Sequence, residues 1–149
     1  MHSFAIRPAV RGDVDAMFRI RCAVTENTLS VAELAELGIT PAAIAERVTA
    51  SPCAWVAQDQ GQVVGFAMVD LDDACLFAAF VEPAHQGRGL GVQLIQACET
   101  ALFQRHARAW LETAGDSRAA RLYARLGWVR TEDLSDGDIR MEKARPMPR

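Results

Sequence analysis

The spacing of apolar residues changes along the first third of the chain and predicts a strand followed by helices. Residues 4–10 (FAIRPAV) predict a short strand. Residues 12–24 (GDVDAMFRIRCAV) repeat apolar positions at helical spacing, and Asp13 stands where a helix cap is expected. Residues 25–38 are polar and mixed, and their pattern assigns no element. Residues 40–50 begin with threonine and proline and predict a second helix.

Further along, the spacing switches between the two-residue period of strands and the period of helices. The predicted strands cover residues 53–59, 62–70, 74–81, 107–113, 128–134 and 138–143, and the predicted helices begin near Gly89 and at Ser117. The run 74–81 (ACLFAAFV) is almost continuously apolar, which is typical of a central strand. This order predicts an α+β fold with helices packed on a mixed sheet, and it lacks the regular βαβα alternation of a doubly wound fold.

Length and composition fit one domain and exclude several classes of function. The chain has 149 residues, half of them hydrophobic, and a net charge of −3. We expect one domain over residues 1–149, with a core at 1–143 and a flexible tail at 144–149. The charge gives no reason to expect binding to nucleic acid or to an anionic membrane. Residues 1–13 do not resemble a secretory signal, and no apolar run is long enough to span a membrane, so we expect a cytoplasmic protein.

The four cysteines, Cys22, Cys53, Cys75 and Cys98, are far apart and form no CxxC pair. Each lies in apolar or helical sequence. This pattern predicts buried free thiols and disfavours a disulfide or zinc framework, so no metal is expected.

A glycine-rich stretch, residues 84–99 (AHQGRGLGVQLIQACE), joins the central strand to a helix. Its spacing fails the dinucleotide motif GxGxxG, and it lacks the Gly-Lys-Ser/Thr end of a P-loop. Bare backbone at a helix start can still bind a diphosphate, because unpaired N–H groups and the helix dipole meet there. Gln86 and Arg88 could add donors. Taken alone, the glycines fit an ordinary turn about equally well.

A longer stretch, FVEPAHQGRGLGVQLIQACE, resembles the acetyl-CoA signature of the GCN5-related N-acetyltransferase (GNAT) family. The matching positions are Val81, Pro83, Gln86, Gly89 and Gly91. The family's order of strands and helices also resembles the order predicted above, over essentially the whole chain.

A second stretch, SRAARLYARLGW, resembles the family's later motif, with Ala120, Leu122, Tyr123 and Gly127 in place. It departs from that motif at two positions. Ser117 stands where asparagine is usual, and Trp128 stands where phenylalanine or tyrosine is usual.

The resemblance implies a single domain with a mixed, mostly antiparallel seven-stranded sheet, about four flanking helices and a splay between the central strands. It implies acetyl-CoA as the acyl donor, direct attack by an amine, and no covalent intermediate or metal. The implied donor-binding residues are Phe80, Val81, Gln86, Gly87, Arg88, Gly89, Leu90, Gly91 and Ser117.

The resemblance also implies that Tyr123 is the general acid that protonates the departing thiolate. The alternative is a tyrosine that only packs on its helix face. The base stays open. Its candidates are a water chain to bulk solvent and the side chains Glu26, Asp70, Glu112, His85 and His106.

Residues 19–30 (RIRCAVTENTLS) resemble a run found in a bacterial subgroup of the family. One hypothesis places Glu26 and Asn27 in the acceptor site. The alternative makes Asn27 a turn residue and pairs Glu26 with Arg21.

We expect acetyl transfer to a primary amine of a small molecule, as in bacterial small-molecule-type members. Acetylation of protein N-termini and a non-catalytic acetyl-CoA sensor are the alternatives, and a homodimer is possible.

Overall fold

The computed structural model describes residues 4–24 and 29–147, which form seven strands and five α-helices. The strands are β1 Phe4–Pro8, β2 Ala54–Asp59, β3 Gln62–Asp70, β4 Cys75–Val81, β5 Arg108–Ala114, β6 Val129–Asp133 and β7 Asp138–Ala144. The helices are α1 Val14–Ala23, α2 Val31–Glu36, α3 Pro41–Ala50, α4 Leu90–Arg105 and α5 Arg118–Arg125.

The strands form one mixed sheet in the order β1-β2-β3-β4-β5-β7-β6. Every neighbouring pair is antiparallel except β4–β5, which is parallel. β4 is the middle strand, as its apolar sequence predicted. The α+β fold class and the seven-stranded mixed sheet are confirmed.

The sheet opens between β4 and β5. These strands pair only at Cys75 and Trp110. On its other side β4 pairs with β3, but the register shifts between Met68 and Val69, which leaves Phe77 as the extra residue of a bulge. The splay implied by the resemblance is therefore confirmed, and it exposes the end of β4 toward the gap.

The helices cover both faces of the sheet. Phe66 and Met68 of β3 face a cavity that residues of α1 also line. Gly65, the residue before Phe66, faces the other side, where a Cβ at this glycine would lie 3.1 Å from Leu94 of α4. Because successive residues of a strand point to opposite faces, α1 and α4 pack on opposite sides of the sheet.

Three local predictions need correction. The unassigned stretch 25–38 contains α2, which Ser30 and Glu33 start with a capping box. Asp13 does not cap α1 with its side chain; its carboxylate accepts hydrogen bonds from Arg7 and from the Val10 amide instead.

Residues 144 and 145, expected in the tail, contact the rest of the fold. β7 extends to Ala144, and the Arg145 guanidinium donates to the carbonyls of Phe103 and His106. Residues 25–28 lie outside the described part of the chain.

The cysteines are free thiols, with Cys53, Cys75 and Cys98 buried and Cys22 half-buried. Burial raises the pKa of Cys75 to about 12 and also raises the pKa of Cys98. In the described residues, no helix has the length and hydropathy needed to cross a membrane.

Candidate active site

A groove of about 570 Å³ occupies the gap beside β4, between that strand, the glycine-rich loop, α4 and α5. The end of β4 contributes Ala79, Phe80 and Val81 to its wall. Of the predicted donor-binding residues, the structure brings seven to this groove: Phe80, Val81, Gln86, Gly87, Gly89, Leu90 and Gly91. Tyr123 lies in the opposite wall, on α5.

The glycine-rich loop directs bare backbone toward this groove. Gly89 is the N-terminal cap residue of α4 and has φ +85°, a left-handed conformation that glycine adopts without strain. A Cβ at Gly89 would meet no described heavy atom within 4 Å, so open space lies in front of it. The start of a 16-residue helix therefore faces the groove with its backbone N–H groups accessible.

Gln86 fixes the loop to both neighbouring elements. Its side-chain amide donates to the Val81 carbonyl at 3.2 Å, and its carbonyl accepts from Arg118 of α5 at 2.8 Å. Thus Gln86 links β4, the loop and α5. The sequence predicted Gln86 as a direct donor to the ligand, whereas in the structure its side chain makes these links.

Arg88 does not line the groove, contrary to the sequence prediction. Its guanidinium donates to the buried Asp59 carboxylate at 3.3 Å, and the His85 Nε2 lies 3.7 Å from the same oxygen. Asp59 is the last residue of β2. Sequence reasoning missed Asp59 because it closes a hairpin strand, where an acidic residue normally faces solvent.

Ser117, also predicted to bind the donor, makes internal contacts. It is 2% exposed, caps α5 by accepting from the Ala120 amide at 3.0 Å, and donates to the Ala114 carbonyl at 2.8 Å. Both hydroxyl contacts are internal, and Ser117 does not line the groove. It sets where α5 begins and therefore where Tyr123 stands.

Tyr123 is 6% exposed and packs edge-on against Trp128, with 6.0 Å between ring centroids. Trp128 is itself held by a hydrogen bond from its indole nitrogen to Glu99, which also pairs with Lys143 at 2.7 Å. Burial raises the pKa of Tyr123, so its hydroxyl stays protonated at neutral pH. A buried, protonated hydroxyl in the wall of a groove can donate a proton.

Positive charge surrounds the groove although the whole chain is acidic. Arg118, Arg121 and Arg125 of α5 line it, and their spacing of three and four residues places them along one side of the helix. No acidic side chain is among the described residues that line the groove. These arginines were not among the residues predicted from the sequence, although their helical spacing beside Tyr123 could have indicated an anion site.

The candidate bases are dispersed. Asp70 pairs with Arg47 at 3.3 Å, His106 contacts the Leu71 carbonyl, and Glu112 is exposed on β5. His85 lines the groove, but it belongs to the loop that contacts Asp59. Glu26 and Asn27, predicted for the acceptor site, fall outside the described residues.

A second cavity, of about 220 Å³, lies between α1, α2, α3 and the strands β3 and β4. Phe80 lines both this cavity and the groove. The two spaces therefore share one lining residue, near the end of the splayed strand.

Comparison with protein families identifies the family of proteins that shares these features. The sequence model of the "Acetyltransferase (GNAT) family" matches residues 15–128, which is more than half of the chain and includes the loop and Tyr123. The chain belongs to the GNAT acetyltransferase family. The enzyme is an acetyltransferase, as the two sequence motifs indicated. No curated protein matches this acetyltransferase.

Solved structures share the fold of this GNAT acetyltransferase over nearly its whole length. PaiA N-acetyltransferase from Thermoplasma acidophilum, in complex with coenzyme A, has a TM-score of 0.80 at 14% identity, covering 95% of this chain and 99% of that one. YncA, described as a putative acetyltransferase from Salmonella typhimurium, with its cofactor acetyl-CoA, has a TM-score of 0.74 at 18% identity, covering 99% and 96%. The ribosomal-protein-S18-alanine N-acetyltransferase from Escherichia coli has a TM-score of 0.71 at 24% identity, covering 98% and 96%. At these identities the likeness shows the fold.

Proposed function

We propose that this acetyltransferase transfers the acetyl group of acetyl-CoA to the primary amine of a small molecule. The observation that carries the proposal is the groove, which the splayed end of β4, the start of α4 and Tyr123 all line. Two fold relatives hold coenzyme A or acetyl-CoA, which supports the same donor here.

The described residues fit such a donor. The backbone from Gly87 to Leu90 suits the pyrophosphate, because a Cβ at Gly89 would point into open space at a helix start. Arg118, Arg121 and Arg125 supply cations for phosphate groups at the rim. The exposed edge of β4 near Phe80 and Val81 suits the pantetheine arm as an added strand, since β5 leaves that edge unpaired.

The reaction that this donor supplies is acetyl transfer from a thioester. The amine nitrogen forms a bond to the acetyl carbon, the carbon–sulfur bond breaks, the amine loses a proton, and the thiolate gains one. We assign the second proton to Tyr123, which lines the groove and whose hydroxyl stays protonated at neutral pH. A backbone N–H near Val81 would hold the oxyanion. We assign the amine proton to water, since no acidic side chain of the described residues lines the groove and His85, which does line it, lies 3.7 Å from the Asp59 carboxylate.

The proposal needs neither a nucleophilic thiol nor a metal. Cys75 and Cys98 are buried with raised pKa values, so both stay protonated at neutral pH. Holding the amine beside the thioester supplies much of the acceleration. From the sequence we further propose a cytoplasmic location and a homodimer, and light scattering of the purified protein would test the homodimer.

The testing experiment measures acetyl-CoA binding by calorimetry and amine-dependent thiol release with a panel of amino acids, polyamines, aminoglycosides and short peptides. We expect binding and turnover with at least one small amine. Turnover with peptides alone would favour N-terminal acetylation of proteins. Binding of acetyl-CoA without any turnover would favour a sensor, and absence of binding would contradict the proposal.

A further inference from the structure

The second cavity has an almost wholly apolar lining. Its wall residues are Met17, Phe18, Arg21, Leu29, Leu34, Leu37, Ile39, Ile44, Phe66, Met68, Phe77, Ala78 and Phe80. A volume of about 220 Å³ accommodates one branched or aromatic side chain. Such a lining disfavours a polyamine or an aminoglycoside, because their charged and hydroxyl groups would lose hydration without gaining partners.

Arg21 is the one ionisable side chain among the described residues of this lining. It extends from α1, is half-buried, and its guanidinium carbon lies 4.4 Å from the centroid of the Phe80 ring. Desolvation lowers the pKa of Arg21, although the group remains charged. A guanidinium in a poorly hydrated setting binds a carboxylate strongly, because its planar donors match the two oxygens.

Phe80 connects this cavity to the transfer site. The Phe80 ring lies beneath the Arg21 guanidinium, and Phe80 also lines the donor groove at the splay of β4. A molecule with its apolar group in the cavity and its carboxylate on Arg21 would therefore have its remaining α-substituent close to the thioester end of the groove.

We infer that the acceptor is an α-amino acid with a large apolar side chain, which occupies the cavity while Arg21 binds the carboxylate. This inference rests on the proposed function. The α-amine attacks the thioester carbonyl as described above, and the products are the N-acetyl amino acid and coenzyme A.

The first test compares paired substrates in the wild type and in Arg21→Met. The pairs are L-phenylalanine with phenethylamine and L-leucine with isopentylamine, which differ only in the carboxylate. We expect the wild type to favour the acid of each pair by about tenfold or more in kcat/KM. Arg21→Met should reduce that preference to about threefold or less, and Arg21→Lys should restore part of it.

The second test uses a larger side chain to fill either the apolar cavity or the donor groove. Ala78 lines the apolar cavity, whereas its neighbour Ala79 lines the donor groove. Ala78→Leu should raise KM for phenylalanine and leucine by about tenfold and leave KM for acetyl-CoA unchanged. Ala79→Leu, the matched variant, should instead raise KM for acetyl-CoA. Thermal unfolding of both variants checks that they remain folded.

The outcomes separate this inference from the proposed function. If polyamines, or the amines without a carboxylate, are acetylated as well as the amino acids, acetyl transfer stands and the inference is overturned. If acetyl-CoA binds but nothing turns over, calorimetry of phenylalanine with the coenzyme A-loaded protein decides. Binding weakened about tenfold by Arg21→Met supports the inference, and no binding up to about 10 mM overturns it. If acetyl-CoA itself does not bind, the proposed function fails first.

Discussion

At the scale of single residues, Tyr123 combines tight packing with the general-acid role that we propose. Its ring packs against Trp128, and the residue lines the groove. We expect Tyr123→Phe to lower kcat by about a hundredfold, the lower range of a positioned acid, while the Kd for acetyl-CoA stays unchanged. Rapid-quench turnover with calorimetric binding would check both values.

The pH dependence of kcat is a control for the proposed general-acid role of Tyr123. Because burial raises the pKa of Tyr123, the hydroxyl stays protonated through the neutral range. The wild type should therefore show no loss of kcat between about pH 7 and pH 9 from this group. Equal kcat in Tyr123→Phe and the wild type would leave Tyr123 with a packing role only.

Gly89 is the second residue on which the proposed donor site depends. A left-handed φ of +85° costs a residue with a Cβ about 1–2 kcal/mol, and here the Cβ would also enter the space in front of α4. Gly137 is a matched control, with φ +82° and equally open surroundings but a place in the turn before β7. Gly89→Ala and Gly137→Ala should lose similar stability in urea, but Gly89→Ala alone should weaken acetyl-CoA binding. Equal binding by the two variants would contradict a phosphate site at this loop.

At the scale of elements, the glycine-rich loop is held to the sheet by β2. Asp59 is 7% exposed and contacts both Arg88 and His85 of the loop, although it is far from both in the sequence. We expect Asp59→Asn to raise KM for acetyl-CoA by about tenfold, because Arg88 loses its anion and the loop loses its position. The value of kcat at saturating acetyl-CoA should change little.

Asp70→Asn is the control for this element. Asp70 ends β3 and pairs with Arg47, but both side chains are partly exposed. Such a pair contributes about 0.2–1 kcal/mol, so this variant should leave KM unchanged. A similar rise of KM in both variants would mean that general destabilisation, rather than loop position, causes the effect.

The elements differ in how well the sequence predicts them. β3 matches its predicted bounds, 62–70, because a strand buried along its length has a near-continuous apolar run. The short helix α2 was not assigned, because six residues give too little of the helical period to recognise. The Asp59–Arg88 pair was also missed, because residues 29 positions apart meet only through the sheet.

At the scale of the whole molecule, the two spaces on either side of Phe80 follow from where the chain opens its sheet. The glycine loop and Tyr123 were predictable because their motifs are local in sequence. The apolar cavity was not, since α1, α2, α3, β3 and β4 all contribute to it. Its Arg21 was noted in the sequence only as an alternative partner for Glu26. The proposed acceptor site therefore depends on tertiary packing, and sequence spacing shows little of it.

The buried ionisable groups also determine how the whole fold responds to alkali. Burial raises the pKa of Cys75, Cys98 and Tyr123 above their values in the unfolded chain. Above about pH 8.5 the unfolded thiols lose protons that the native thiols keep, so the unfolded state binds fewer protons. The free energy of unfolding is therefore complete below that pH and falls as pH rises toward the native pKa values.

We expect each such group to lower the free energy of unfolding by about 1.4 kcal/mol per pH unit between its unfolded and native pKa values. Urea titrations between about pH 7 and pH 11 would measure the slope. Cys98→Ala should be less stable at neutral pH, because Cys98 is fully buried, but its slope should be shallower. Leu94→Val, a variant of the same buried helix face without a titrating group, should keep the wild-type slope. Equal slopes in Cys98→Ala and Leu94→Val would show that the Cys98 thiol does not contribute to the alkaline loss of stability.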